Sequence, residues 1–209
     1  FLYLRMEDKA GNISFVNTSD GVIVGSQADL AITVTPTAKP SSNGIYANDV
    51  PFQISVKAPD DDPLFTGIRY VKWQVLKDGE VTQSGNYNDV TDGDAHRANR
   101  LRSLEKNEVV SAEKNNSNDV LVQVTAEDWA GNISSVSLPL SIDITKPTVT
   151  AAYDNNDARH EKYFNRQRDM TITVQDRNFN ENDFTLPMQI GKDKVTVTMQ
   201  DIRDGKYGL

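Results

Sequence analysis

The chain of 209 residues has no cysteine and only two histidines. The first absence excludes a disulfide scaffold, thiol nucleophiles and cysteine-ligated zinc. His96 and His160 sit in no recognisable motif, so a serine–histidine–aspartate triad has no nucleophile-elbow signature to accompany it. Glycine-rich phosphate loops and metalloprotease helix motifs are missing as well. No apolar run approaches the roughly 20 residues needed to cross a bilayer. Positive charge is also scarce: 22 Lys and Arg against 30 Asp and Glu leave a formal net charge of -8. That balance argues against a nucleic-acid partner, whose phosphates demand a clustered basic surface. These absences together lead us to expect no catalytic residues, no cofactor and no membrane-inserted segment.

What the chain does contain is an eight-residue phrase written twice. Glu7-Asp8-Lys9-Ala10-Gly11-Asn12-Ile13-Ser14 returns as Glu127-Asp128-Trp129-Ala130-Gly131-Asn132-Ile133-Ser134, 120 positions on. Beyond the phrase the offset settles at 118, so that Phe52, Ile54 and Val56 answer Met170, Ile172 and Val174. Self-similarity at a fixed period is the signature of an array. The expected organisation is the tail of one module in residues 1–24, a complete module in residues 25–146, and the opening part of a third in residues 147–209. Phe1 is not a start methionine, and Leu209 comes before a third copy of the phrase could appear. A fragment of a longer protein is therefore expected.

The complete module reads as short alternating strands. Phe52, Ile54 and Val56, then Val71, Trp73 and Val75, then Val120, Val122, Val124 and Ala126 recur every second residue. That period places one face on a core and the other toward water. Val136, Leu138, Leu140 and Ile142 form a further strand, and Pro139 within it, having no N–H to give a ladder, should lie at an edge or face outward. Asp78-Gly79 signals a tight hairpin, because primed turns need positive φ. In the repeated phrase, Ala-Gly-Asn sits between two alternating runs, and Asp8 and Asp128 are expected to accept backbone N–H bonds at the hairpin mouth. Many short strands, a tryptophan on a middle strand and no long amphipathic helix indicate an all-β fold, a β-sandwich of the immunoglobulin type.

The Asp-x-Ala-Gly-Asn-x-Ser hairpin carries a family resemblance. Together with the linkers Ser26-Gln27-Ala28 and Asp143-Ile144-Thr145-Lys146-Pro147, it resembles the bacterial immunoglobulin-like repeats found in tandem on cell-surface and secreted proteins. Tyr153-Asp154-Asn155-Asn156 through Tyr163-Phe164 to Arg177-Asn178-Phe179 likewise resembles the opening of such modules in anaerobic gut bacteria. Asp29 stands where Pro147 stands in the second linker, so the first junction departs from the pattern. The resemblance implies an extracellular or surface location in a bacterium, with adjacent immunoglobulin-like modules of the same chain as neighbours. It also implies a non-enzymatic role, either an adhesin-type domain binding a host glycoprotein or immunoglobulin, or a stalk spacer. The alternative is an accessory module of a large secreted carbohydrate-active or proteolytic enzyme.

Candidate contact residues are few. Residues 84–106 are long for a sandwich connection, with Arg97, Arg100 and Arg102 following Asp92-Gly93-Asp94, and Leu101 and Leu104 at helical spacing. Long loops on a rigid scaffold are where binding tends to reside, although charged runs are commonly just solvated. Trp129 replaces Lys9 at the hairpin tip and is a second candidate. Asp60-Asp61-Asp62 offers hard oxygens for calcium, but outside any EF-hand spacing; no metal site is assigned. Asn-x-Ser/Thr sequons begin at Asn12, Asn17, Asn115 and Asn132, and in a bacterial protein they read as turn and loop composition.

Overall fold

The computed structural model describes residues 3–17, 25–27, 29–60, 62–88, 101–153, 170–190 and 192–206. The chain forms two compact units, Phe1–Ile144 and Thr145–Leu209. In the first, alternation becomes strand as expected. β1 (Tyr3–Glu7) and β2 (Ile13–Asn17) form a hairpin, a two-stranded sheet among the described residues. β3 (Ala31–Pro36), β5 (Val50–Lys57) and β8 (Ser103–Val110) make one sheet in the order β3-β5-β8. The second sheet runs β4-β10-β9-β6-β7, built from β4 (Ile45–Tyr46), β6 (Ile68–Lys77), β7 (Glu80–Asn88), β9 (Ser117–Asp128) and β10 (Ile133–Ile142). Three strands against five, with β5 and β6 consecutive in sequence but in opposite sheets, is an immunoglobulin-type sandwich.

The core lies between the sheets. Val50, Phe52, Ile54 and Val56 bury one face of β5, each at most 1% exposed. Opposite them, β6 and β9 pair Val71 with Ala126, Trp73 with Val124 and Val75 with Val122, so the inward face is assembled from cross-strand apolar pairs. Phe52 meets Trp73 edge-on, with ring centroids 5.9 Å apart and an interplanar angle of 80°. Trp73 fits because Gly85 faces it: a Cβ there would lie 2.5 Å from Nε1. Asp78 and Gly79 have φ of 51° and 86° and close the β6–β7 hairpin between Lys77 and Glu80, the primed turn that the Asp-Gly pair predicts. Pro139 pairs across β9 with Leu121 but faces an open edge on its other side, because β4 reaches only Ser141 and Ile142.

The expectation of a long connection at residues 84–106 needs correction. β7 runs on to Asn88 and β8 begins at Ser103. Leu104 sits opposite Val56 in the β5–β8 ladder, so the Leu101/Leu104 spacing belongs to the approach and start of a strand, not to a helical turn. Periodicity over two residues cannot distinguish the two. His96, Arg97 and Arg100 lie outside the described residues, as do Asp61 and His160.

β7 and β8 belong to different sheets, and polar side chains bridge them. Gln83 donates to the Val109 carbonyl at 3.1 Å and accepts from Ser111 N–H and Asn115 Nδ2, both at 2.8 Å. Asn115 is fully buried, which removes its sequon from any role as a surface acceptor. The Tyr87 hydroxyl donates to Glu108, and the Lys106 ammonium lies 5.2 Å from the Tyr87 ring centroid. Burial, then that hydrogen bond and the Glu108 charge, push the phenol up to about 12. Unfolding returns it to a phenol's ordinary pKa of about 10. The contribution is therefore complete below about pH 10 and is lost as pH rises to about 12. We expect Tyr87→Phe to flatten the alkaline fall in stability across this window relative to wild type. Denaturation midpoints measured from pH 9 to pH 12 for both proteins, if parallel, would show that Tyr87 carries none of the dependence.

The second unit contains β11 (Thr148–Tyr153) paired with β12 (Met170–Gln175), and β13 (Thr185–Ile190) paired with β14 (Asp193–Thr198). A helix, Met199–Arg203, follows β14 and starts in a capping box between Thr198 and Asp201, each satisfying a backbone N–H of the other.

Candidate functional site: the repeated hairpin and its socket

The repeated phrase produces the same object twice. Glu7 faces Ile13, Met6 faces Ser14, Arg5 faces Phe15 and Leu4 faces Val16; Glu127 faces Ile133, Ala126 faces Ser134, Thr125 faces Ser135 and Val124 faces Val136. Asp8 Oδ1 accepts the N–H groups of Ala10 and Asn12, both at 2.9 Å, while Oδ2 takes Asn12 Nδ2 at 2.8 Å. Asp128 does the same with Ala130 and Asn132, at the same distances. Gly11 and Gly131 have φ of 86° and 88°, a conformation that costs glycine little and other residues more. The aspartate and asparagine thus build the turn, as the sequence predicts. At Asp8 the bonds from the Asn12 side chain and backbone hold the carboxyl below its usual range.

The surroundings of the two copies differ. Asp128 is 1% exposed, and its turn is seated in a socket from other parts of the sandwich. Trp129 N–H donates to the Gly67 carbonyl at 3.0 Å, and Ala130 N–H reaches Thr66 Oγ1 at 3.0 Å. Asn132 Nδ2 donates a second time, to the Ser26 carbonyl at 2.8 Å, and Leu30 N–H donates to Ser134 Oγ at 2.9 Å. Gly25 completes the cradle: a Cβ there would lie 2.5 Å from the Ala130 Cβ and 2.7 Å from Thr66 Cγ2. Among the described residues the β1–β2 copy has no such socket. All ten of its strand residues are exposed.

Of the sequence-predicted contact residues, Trp129 and Arg102 fall within the described residues. Trp129 is 41% exposed. The Arg69 guanidinium lies 5.6 Å from its ring centroid and pairs with Glu127 at 2.6 Å. Tyr70 bonds to Glu127 as well, and that bond, followed by Arg69, holds the Glu127 carboxyl low against the opposing effect of burial. Trp129, Arg69, Tyr70 and Glu127 therefore form one amphipathic patch at the hairpin tip. Arg102 is not grouped with it. Its guanidinium donates to the carbonyls of Pro59 at 3.0 Å and Asp62 at 3.2 Å and lies 5.4 Å from the Phe65 ring centroid, so it clamps the loop after β5. Asp62, the calcium candidate, accepts from the Ser26 hydroxyl and from Leu64 N–H. Among the described residues no three carboxylates or imidazoles converge on a metal-sized site.

Sequence reasoning missed Gly25, Thr66, Gly67 and Arg69. None lies in the repeated phrase, and a lone glycine or threonine outside a periodic run gives no local signal.

No family model matches the chain, and no curated protein does. Among solved structures, a DUF4466 family protein from Parabacteroides merdae aligns at a TM-score of 0.38 with 9% sequence identity, over 86% of this chain and 58% of its own. The chain thus spans less than two thirds of that structure's length, and a likeness at this level carries no argument about fold or function.

Proposed function

We propose that the chain is part of a tandem array of immunoglobulin-like modules in a bacterial surface or secreted protein, and that its role is non-enzymatic: a stalk that spaces a distal domain. The observation that supports this reading is the hairpin built twice, residue for residue in register and hydrogen bonding. Repetition of a whole module-closing element is what an array of stacked units requires. The polar groups of the phrase serve the turn and its socket, and Arg102 serves a loop; these are the demands of a rigid spacer.

A second reading, an adhesin-type module that binds a host glycoprotein or immunoglobulin, has one observation in its favour. The Trp129 patch combines a half-exposed aromatic with Arg69 over its ring, and tryptophan and arginine are the residues that dominate binding hot spots. Biolayer interferometry of the immobilised chain against purified immunoglobulin G and a mucin-type glycoprotein separates the two. The spacer reading expects no saturable signal from either probe. Saturable binding that disappears in Trp129→Ala would replace it with the adhesin reading.

A further inference from the structure

Asn43-Gly44 is the chain's single Asn-Gly pair, and the fold places it in a tight loop just before β4. Ser41 N–H donates to the Ile45 carbonyl at 2.9 Å, Gly44 N–H to the Ser41 carbonyl at 3.0 Å, and Ile45 N–H to Ser41 Oγ at 3.2 Å. Gly44 has φ of 78°. Ser42, Asn43 and Gly44 thus make a hairpin-type loop closed by a left-handed residue, a conformation that costs glycine least. The turn demands glycine at position 44, and with it a backbone nitrogen that no neighbouring Cβ hinders. Residues 41–44 are all exposed. A Cβ at Gly44 would meet nothing within 4 Å among the described residues beyond its chain neighbours, so the space around that nitrogen is open.

The loop sets where β4 starts, and β4 is held by little. It is two residues long, pairs with β10 at Ser141 and Ile142, and is followed by one more bond, from Asp143 N–H to the Tyr46 carbonyl at 2.9 Å. The bonds between Ser41 and Ile45 fix its first residue. A change in the length of the loop is therefore felt directly at the edge of the five-stranded sheet.

We propose that Asn43 is a site of spontaneous deamidation, and that the isoaspartyl product loosens β4 from β10. The Gly44 nitrogen gives up its proton to solvent base and bonds to Asn43 Cγ. The Cγ–Nδ2 bond breaks, and Nδ2 leaves as ammonia after taking a proton from water, which closes a five-membered succinimide. A second water opens the ring at either carbonyl. Opening at the backbone carbonyl carbon routes the chain through Cβ and Cγ, adding one methylene to the backbone and leaving a free α-carboxylate; opening at Cγ gives ordinary aspartate. Nothing is oxidised or reduced. An extra backbone atom does not fit a three-residue loop already bonded at both ends, so the Ser41–Ile45 bonds or the β4–β10 register must give. The turn itself is the gate: Gly44 N–H is held by the Ser41 carbonyl, so attack requires local opening, which is easy for a small exposed loop.

Ageing the full chain at neutral and at mildly alkaline pH, followed by peptide mapping and hydrogen exchange, tests this. Wild type should gain about one mass unit at Asn43, the exchange of an amide NH2 for OH, ahead of every other asparagine and faster at the higher pH. Ser41→Ala removes one tie on the turn and should speed the gain severalfold, while Asn43→Gln should abolish it at that position. The isoaspartyl form, separated from fresh protein by its added negative charge, should exchange the Asp143 amide severalfold faster. Asn43→Asp carries the charge without the methylene and should leave that amide as it was. No product at Asn43, a Ser41→Ala rate no faster than wild type, an unchanged Asp143 amide in the isoaspartyl form, or equal loosening in Asn43→Asp overturns the proposal.

Discussion

Trp73→Ala lowers the stability of the sandwich by about 3–5 kcal/mol, the range for truncating a buried aromatic. Three features put this site at the upper end. Trp73 is 6% exposed, it packs edge-on against Phe52, and its cross-strand partner is Val124, so alanine removes contacts to both sheets at once. Gly85 adds a fourth, since the backbone there is shaped around the indole and has no side chain to fill the space. Among the described residues the indole N–H has no hydrogen-bond acceptor, so its removal relieves a desolvated donor and offsets part of the cavity's cost. For a domain stable by about 5–15 kcal/mol this is a large fraction of the total. The urea midpoint should fall with the slope unchanged. A loss under about 1 kcal/mol would mean that the site collapses around the smaller residue, against the close packing expected of a core.

The second large effect is a contrast between two identical substitutions. Asp128→Ala is expected to cost the sandwich about 3–6 kcal/mol, because a carboxylate bond to a backbone N–H is worth roughly 1.5–3 kcal/mol and two of them are lost. The carboxylate is 1% exposed, so water cannot take its place at Ala130 and Asn132. The turn would also loosen in its socket, putting the Ala130 bond to Thr66 and the Asn132 bond to Ser26 at risk. Asp8→Ala removes the same three bonds from the same turn, yet it should leave the unfolding midpoint of the sandwich where it was. Asp8 is exposed and its hairpin shares no ladder with either sheet. Asp128→Asn should fall between, keeping one acceptor oxygen for the backbone and losing the pairing with the Asn132 amide. Equal effects at positions 8 and 128 would show that the socket contributes nothing.

The turn and strand chemistry of this protein is local, and local chemistry is legible in the chain. Alternation at Phe52, Ile54 and Val56 places side chains on one face whatever lies opposite, because the pleat has a period of two. Asp78-Gly79 and the two Ala-Gly-Asn triplets specify turns through the conformations that glycine alone tolerates well. Asp8 and Asp128 reach N–H groups only two and four residues away. All of this was decided within a few residues, and the same words folded into the same hairpin twice.

Tertiary structure decided what the words were for. Ser26 meets Asn132 across 106 positions and Thr66 meets Ala130 across 64, and no periodicity marks either pair. Arg102 looked like a charged loop residue free for a partner; the fold turned it onto the carbonyls of Pro59 and Asp62, because the ends of that loop are brought together by the β5–β8 ladder. The Asn115 sequon read as turn and loop composition, and Asn115 became a buried hub between β7 and the turn after β8. One hairpin is buried and its twin exposed for a single reason: burial belongs to the strands that happen to lie opposite, and those are set by the packing of two sheets, not by the residues of the hairpin.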